Sequence, residues 1–300
     1  MHTERPPLRG ILPPIPTPFQ SEGELALESL HSNLERWNEL PLSGYVVGGS
    51  NGEFVLLTHE ERVAVVEAAR ARVPRDRWLV AGAGTQSTAG TIELSRKMIR
   101  AGAEALLVVN PHYYRRQMTP AALETHYRTV ADAVKAPVLL YNVPANTGLD
   151  IPLDSVLRLA EHPNIVGIKD SGGDVTRLGA IREGTPEDFI VLAGSAGFLL
   201  GALAVGAVGA VSALANLAGH QLAELQARFE AGDMQGAKEI QLNLIEPNRA
   251  VTARYGIAGL KAGLDMLGYY GGPVRGPLQP LSAAERDDLR AILAAADLLP

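Results

Sequence analysis

Lys169 closes an apolar run, Ile165-Val166-Gly167-Ile168, inside the phrase Gly167-Ile168-Lys169-Asp170-Ser171-Gly172-Gly173, and a lysine in that setting is a candidate nucleophile. Desolvation disfavours an ammonium ion, so an amine at a buried strand end has a neutral fraction that can attack a carbonyl and form a Schiff base. Tyr141 closes the apolar run before it, and a phenol beside such an amine can carry protons. The phrase Gly48-Gly49-Ser50-Asn51-Gly52-Glu53 offers backbone N–H groups and two short polar side chains suited to holding a carboxylate. Each feature also has a bland reading: a solvated lysine at a strand exit, a tyrosine whose hydroxyl caps the core, a plain tight turn. The local pattern leaves both readings open.

The elements that must position these residues are legible as a repeat. Short apolar runs lie at Ile11 to Pro16, Gly44 to Val47, Trp78 to Ala81, Ala105 to Val109, Pro137 to Tyr141, Ile165 to Lys169, Phe189 to Ala193 and Ala207 to Ser212. Amphipathic segments follow them, for instance Leu25 to Leu40, Thr58 to Val73, Ser87 to Ala101, Thr119 to Val134 and Ala196 to Val205. Runs apolar on both faces that alternate with helices indicate parallel strands with right-handed crossovers. Eight such units predict a (β/α)8 TIM barrel, with an open doubly wound sheet as the other arrangement of the same pattern. Helices at Leu217 to Ala231, Met234 to Ile245, Ile257 to Leu267 and Ser282 to Ala295 follow, around the loop Gly268 to Pro273. The expected division is a flexible tail over 1–9, the barrel over 10–216 and C-terminal helices over 217–300 packed on it.

In a barrel, chemistry gathers at the C-terminal ends of the strands. Those ends collect Thr17, Ser50, Asn51, Thr85, Asn110, Tyr113, Tyr141, Asn142, Lys169, Ser171, Ser195 and Ser212, a neutral, hydroxyl-rich set around one lysine. The two-residue period of a strand puts Lys169 on a face with Gly167, and Val166 with Ile168 on the other. With the bulky pair against the outer helices, Lys169 points into the barrel mouth.

Other chemistries are disfavoured. The chain of 300 residues has Lys+Arg 27 against Asp+Glu 33, a net charge of -6, and no basic block, so nucleic acid is not an expected partner. It has no cysteine, and its 7 histidines show no paired-ligand spacing, so neither a thiol nucleophile nor a metal is expected. No other cofactor is expected: Gly82-Ala83-Gly84-Thr85-Gln86-Ser87 lacks the third glycine of a dinucleotide fingerprint, and the Gly48 loop lacks the ending of a P-loop. The uncharged stretch Phe189 to Gly219 is long enough to cross a bilayer, but its glycines and polar residues fit a buried strand, helix, strand succession instead. Met1 to Pro7 has no signal-like apolar core, and a cytoplasmic location is expected.

From about Gly10 to Leu299 the chain resembles the Schiff-base lyases that include dihydrodipicolinate synthase and N-acetylneuraminate lyase. The resemblance rests on Gly49-Ser50-Asn51-Gly52-Glu53, Tyr141-Asn142-Val143-Pro144 and Gly167-Ile168-Lys169-Asp170-Ser171, with the tyrosine-to-lysine separation that the family shows. It implies that Lys169 forms an imine with pyruvate or a pyruvate-derived 2-keto acid and that Tyr141 shuttles protons. It also implies that Ser50, Tyr141 and a Tyr113 from a neighbouring subunit form a relay, hence a homo-oligomer, a dimer of dimers. By the same resemblance Ser50 and Asn51 hold the substrate carboxylate, and Ser171, Gly194 and Val211 line the pocket.

Within that family, Pro144-Ala145-Asn146-Thr147-Gly148, Lys169-Asp170-Ser171-Gly172-Gly173-Asp174 and Gly268-Tyr269-Tyr270-Gly271-Gly272-Pro273 look like the branch that cleaves 4-hydroxy-2-oxoglutarate to pyruvate and glyoxylate. The synthases typically carry two threonines where Ser50 and Asn51 stand, and an arginine for the aldehyde substrate's carboxylate where Asn146 stands. A charge-assisted hydrogen bond of that kind is worth roughly 1.5 to 3 kcal/mol. The alternatives are the synthase itself, another 2-keto acid aldolase, or a catalytically silent keto-acid sensor on the same fold. For the second carboxylate, Arg115, Arg116, His112 and Asn146 lie within reach in sequence.

Overall fold

Eight strands alternate with helices along the chain: β1 (Gly10–Leu12), β2 (Gly44–Val47), β3 (Trp78–Gly82), β4 (Ala105–Val109), β5 (Val138–Asn142), β6 (Ile165–Asp170), β7 (Ile190–Ala193) and β8 (Gly209–Val211). The structure, a computed structural model, describes residues 7–299. All strands pair in parallel, in the order β1-β8-β7-β6-β5-β4-β3-β2. The ring is closed by a bridge between Pro14 and Val46, with Ile15 N–H donating to Val46 O and Val46 N–H to Pro13 O, each at 3.0 Å. The chain therefore forms a (β/α)8 barrel. The first strand is shorter than the expected Ile11 to Pro16, because Pro13 and Pro14 have no N–H to give to a ladder.

The helices are α1 (Leu27–Trp37), α2 (His59–Arg70), α3 (Thr88–Arg100), α4 (Pro120–Ala133), α5 (Pro144–Thr147), α6 (Leu153–Ala160), α7 (Val175–Gly184), α8 (Leu199–Ala204), α9 (Ala215–Glu230), α10 (Met234–Asn243), α11 (Ile245–Arg249), α12 (Gly256–Met266) and α13 (Ala283–Ala295). Their starts follow side-chain chemistry: Thr58 and Glu61 form a reciprocal capping box, and Ser87, Thr119 and Asp174 each accept a backbone N–H of the first turn. The helix α9 packs on β1 and α8 as the eighth helix of the barrel. The uncharged stretch after Phe189 is β7, α8, β8 and the start of α9, and among the described residues no helix is long and apolar enough to cross a membrane.

Two apolar layers hold the barrel. Leu12, Val46, Val80, Leu107, Leu139 and Leu192 fill its inside, while Tyr45, Val47, Leu106, Leu140, Ile168 and Val191 face the helices. One strand breaks the expected alternation. Val138 pairs with Ile165 but Leu139 pairs with Gly167, so β6 carries one extra residue, Val166, at a register shift. Val166 consequently packs with the inner layer and Ile168 with the outer one. The expectation that both face outward holds for Ile168 and fails for Val166.

After α9 the chain returns to the barrel mouth. A π-helical turn, Ala250–Arg254, leads into α12, and the following loop is tied to the barrel where the Tyr270 hydroxyl donates to Phe19 O at 2.7 Å and Asn33 Nδ2 to Tyr270 O at 2.8 Å. Of the expected flexible tail, residues 1–6 lie outside the described residues; Leu8 is buried in the inner layer and Arg9 pairs with Glu230 at 2.6 Å.

Candidate active site

Lys169 and Tyr141 reach the barrel mouth because their strands pair in register there, Tyr141 opposite Lys169. Residues paired in register on adjacent parallel strands share a face, and both side chains line the cavity at the mouth. Lys169 is 5% exposed, and its amine lies 4.2 Å from the centroid of the Tyr141 ring. The ladder continues past the strand ends, with Ser171 N–H donating to Asn142 O at 2.8 Å and Gly194 N–H to Asp170 O at 2.7 Å. Behind Lys169, buried Asp170 accepts from Asn142 Nδ2 at 2.9 Å, Gly172 N–H at 2.7 Å and Arg177 Nε at 3.0 Å. Asn142 also bonds Asp150 and receives Ile151 N–H, so it holds the strand end rather than facing substrate.

The Gly48 loop approaches from the other side of the mouth. Ser50 to Gly52 form a short 3-10 turn, secured where Thr17 Oγ1 donates to Gly52 O at 2.7 Å. This places Ser50 Oγ 3.1 Å from the Tyr141 hydroxyl, one hydrogen bond that either oxygen can donate. A chain of exchangeable protons thus runs from Ser50 to the phenol beside the amine.

These residues surround a cavity of about 430 Å³, lined by Ser50, Asn51, Tyr141, Asn146, Lys169, Ser171, Gly194 and Val211. Of the strand-end residues, Ser50, Asn51, Tyr141, Lys169 and Ser171 line it, while Thr17, Asn110, Asn142 and Ser212 do not; the residues that the family resemblance assigns to the site are assembled here with one exception. The exception is Tyr113, which is 76% exposed, packs edge-on against Tyr114 and does not line this chain's cavity. Three residues weighed for a second carboxylate also lie off the cavity lining. Arg115 lies against Gly148, Arg116 is exposed, and His112 lines an adjoining cavity of about 390 Å³. Thr85 and Ser195 are engaged locally, with Thr91 and Asn248.

What sequence reasoning missed is the far wall. Thr252, Tyr255 and Ile257, at the entry to α12, and Leu278 and Gln279 close the cavity opposite the strands. No periodicity announces that a segment some hundred residues after Lys169 folds back over it. Pro144 and Asn146 sit in the short helix α5, also unexpected, which Gly148 ends in a left-handed conformation at φ 65°.

A profile of the Dihydrodipicolinate synthetase family matches residues 7–296. The chain belongs to this family. Among relatives of known designation, a 4-hydroxy-tetrahydrodipicolinate synthase of Phenylobacterium zucineum is 38% identical, over 98% of this chain and 99% of the relative. One from Natronomonas pharaonis is 36% identical, over 95% and 96%. Among solved structures, the dihydrodipicolinate synthase of Bacillus anthracis superimposes with a TM-score of 0.92 at 33% identity, covering 95% of this chain and 97% of that one. A prophage protein of the family from E. coli K12, in complex with pyruvate, gives 0.92 at 30% identity, covering 97% and 99%. Members of the dihydrodipicolinate synthetase family are Schiff-base lyases, and this chain is a lyase of that class.

Proposed function

We propose that the chain is an aldolase acting on pyruvate or a 2-keto acid built on it, with Lys169 Nζ as the nucleophile. The observation that carries this is the line Lys169, Tyr141, Ser50 along one side of the cavity, with amine, phenol and hydroxyl in succession. On this reading the neutral amine adds to the C2 ketone and loss of water leaves a protonated imine. Ser50 and the Asn51 backbone N–H hold the adjacent carboxylate. With 4-hydroxy-2-oxoglutarate, Tyr141 takes the C4 hydroxyl proton, the C3–C4 bond breaks, and its electron pair passes into the imine to give an enamine as glyoxylate departs. Protonation at C3 and hydrolysis then release pyruvate and restore the amine. Asn146, Ser171, Gly194 and Val211 bound the substrate.

The same proposal includes a homo-oligomer, a dimer of dimers, in which a neighbour's Tyr113 completes the relay. Its support is that Tyr113 is exposed and outside its own cavity.

The second substrate separates two readings. The relatives' designation favours the synthase, which condenses pyruvate with aspartate semialdehyde, and on comparison alone that reading is better backed than cleavage. Against the synthase, by the family resemblance, Ser50 and Asn51 stand where that enzyme typically carries two threonines and Asn146 where it carries an arginine; all three residues line the cavity. Reduction with borohydride in the presence of pyruvate, read by mass spectrometry, is expected to add a mass to Lys169; absence of the adduct would instead favour a silent sensor. A lactate dehydrogenase coupled assay with 4-hydroxy-2-oxoglutarate, run beside the condensation assay, decides between the two enzymes. Faster condensation establishes the synthase.

A further inference from the structure

A second buried lysine lies beneath the loop that approaches Lys169. Lys261, on α12, and Glu53, at the end of the Ser50 turn, have side chains 1% and 0% exposed, with Nζ 2.5 Å from Oε1. We propose that this ion pair positions the Ser50–Asn51 turn, which makes Lys261 a positioning residue for the keto-acid carboxylate. The proposal rests on the reading of that turn as the carboxylate holder.

The geometry at Glu53 supports it. Glu53 is a non-glycine residue in the left-handed region, φ 54° and ψ 33°, joining the turn Ser50–Gly52 to the turn Phe54–Leu56. A side chain there is held only if its surroundings determine the conformation. Each carboxylate oxygen has its own partner. Oε1 faces Lys261, and Oε2 accepts the Arg275 N–H at 2.8 Å. Lys261 is fixed in turn, donating to Pro273 O at 2.7 Å, with its amine 4.3 Å from the Phe19 ring centroid. The turn itself is closed by Glu53 N–H to Ser50 O at 3.1 Å and Gly52 N–H to Gly49 O at 3.0 Å. Shifting the Glu53 carboxylate therefore shifts Ser50.

The first turn of α12 gives the pair its reach. Gly256, Ile257 and Ala258, in its first turn, line the cavity that Ser50 and Asn51 line from the opposite side. One ion pair thus ties both walls of the cavity to one helix. The two Glu53 oxygens have different partners, Lys261 on one and the Arg275 backbone N–H on the other, so turning the carboxylate breaks at least one of these contacts.

The test uses pyruvate and borohydride on the full chain, with the amount of Lys169 adduct followed against pyruvate concentration. In Lys261→Met, which keeps the length of the stem, half-saturation is expected at about tenfold or more higher pyruvate, the equivalent of one hydrogen bond to a carboxylate. The adduct plateau is expected unchanged, and turnover is expected to show a raised KM together with a lowered kcat, because Ser50 also meets the Tyr141 hydroxyl. Glu53→Gln, which keeps the Arg275 contact and loses the charge, should shift half-saturation in the same direction. If Lys261→Met does not fold, the charge-free pair Glu53→Gln with Lys261→Met carries the same measurement. Lower melting temperatures with unchanged half-saturation would show a purely structural pair and overturn the proposal. A wild-type protein that gives no adduct would instead remove the aldolase reading, and this proposal with it.

Discussion

Tyr141 and Lys169 are direct cross-strand partners at the ends of β5 and β6, and the amine of one lies 4.2 Å from the ring centroid of the other. Their separation of twenty-eight positions in the chain is spent on α5, α6 and the loops, which return β6 beside β5 in parallel. The extra residue Val166 sets the phase of β6, so that Ile168 packs outward and Lys169 faces the cavity. A slip of one residue would turn the lysine to the helices.

Replacing Lys169 with alanine is expected to reduce turnover to the background rate and to abolish the borohydride adduct. Circular dichroism should stay that of the wild type, because the side chain lies at the end of its strand beside a cavity. Retained turnover would remove the imine mechanism.

Tyr141→Phe keeps the ring beside the amine and removes only the hydroxyl that meets Ser50. A fall in kcat of about 10² to 10⁴ is expected, the usual range for losing a positioned proton carrier. Single-turnover trapping should still yield the Lys169 adduct, more slowly.

Gly167→Ala is expected to destabilise the fold by about 1 to 3 kcal/mol, the range for overpacking a close-fitted site. A Cβ at Gly167 would lie 2.4 Å from Ile190 O, so β6 and β7 would have to part just below Lys169. Denaturant titration measures the loss, and kcat/KM should fall with it.

Arg177→Met leaves the Asp170 carboxylate, buried at 1% exposure, without its cation. Breaking such a pair from one side costs about 3 kcal/mol or more. The carboxylate's bonds to Asn142 and Gly172 hold the protein short of complete unfolding, and a lower midpoint in urea is the expected result.

His126 gives a pH signature unrelated to the cavity. Burial pushes its pKa down to about 4, and its Nδ1 lies 2.9 Å from Thr88 Oγ1. The folded state therefore resists a proton that the unfolded chain accepts below about pH 6.5. Its contribution to stability is complete above that pH and is lost as pH falls toward 4, a decline of about 1.4 kcal/mol per pH unit and about 3 kcal/mol in total. His126→Gln should flatten stability over that window when urea midpoints are compared from pH 7 to pH 4.

The barrel was legible because its strands are buried on both faces and read as short, continuous apolar runs, with longer helical segments between them, several of them, such as α1 and α6, clearly amphipathic. Lys169, Tyr141 and the Ser50 turn were legible for a related reason: in this fold strand ends meet, so local position foretells neighbourhood. Other features depended on contacts between distant segments. The shortened β1 and its closure on β2, the extra residue in β6, and the wall formed by Thr252, Tyr255 and Leu278 arise when separate segments meet. The pairing of Lys261 with Glu53 is of the same kind, joining positions 208 apart in the chain. Periodicity records which face of an element is buried. It carries no account of which remote element buries it, and that choice belongs to tertiary packing.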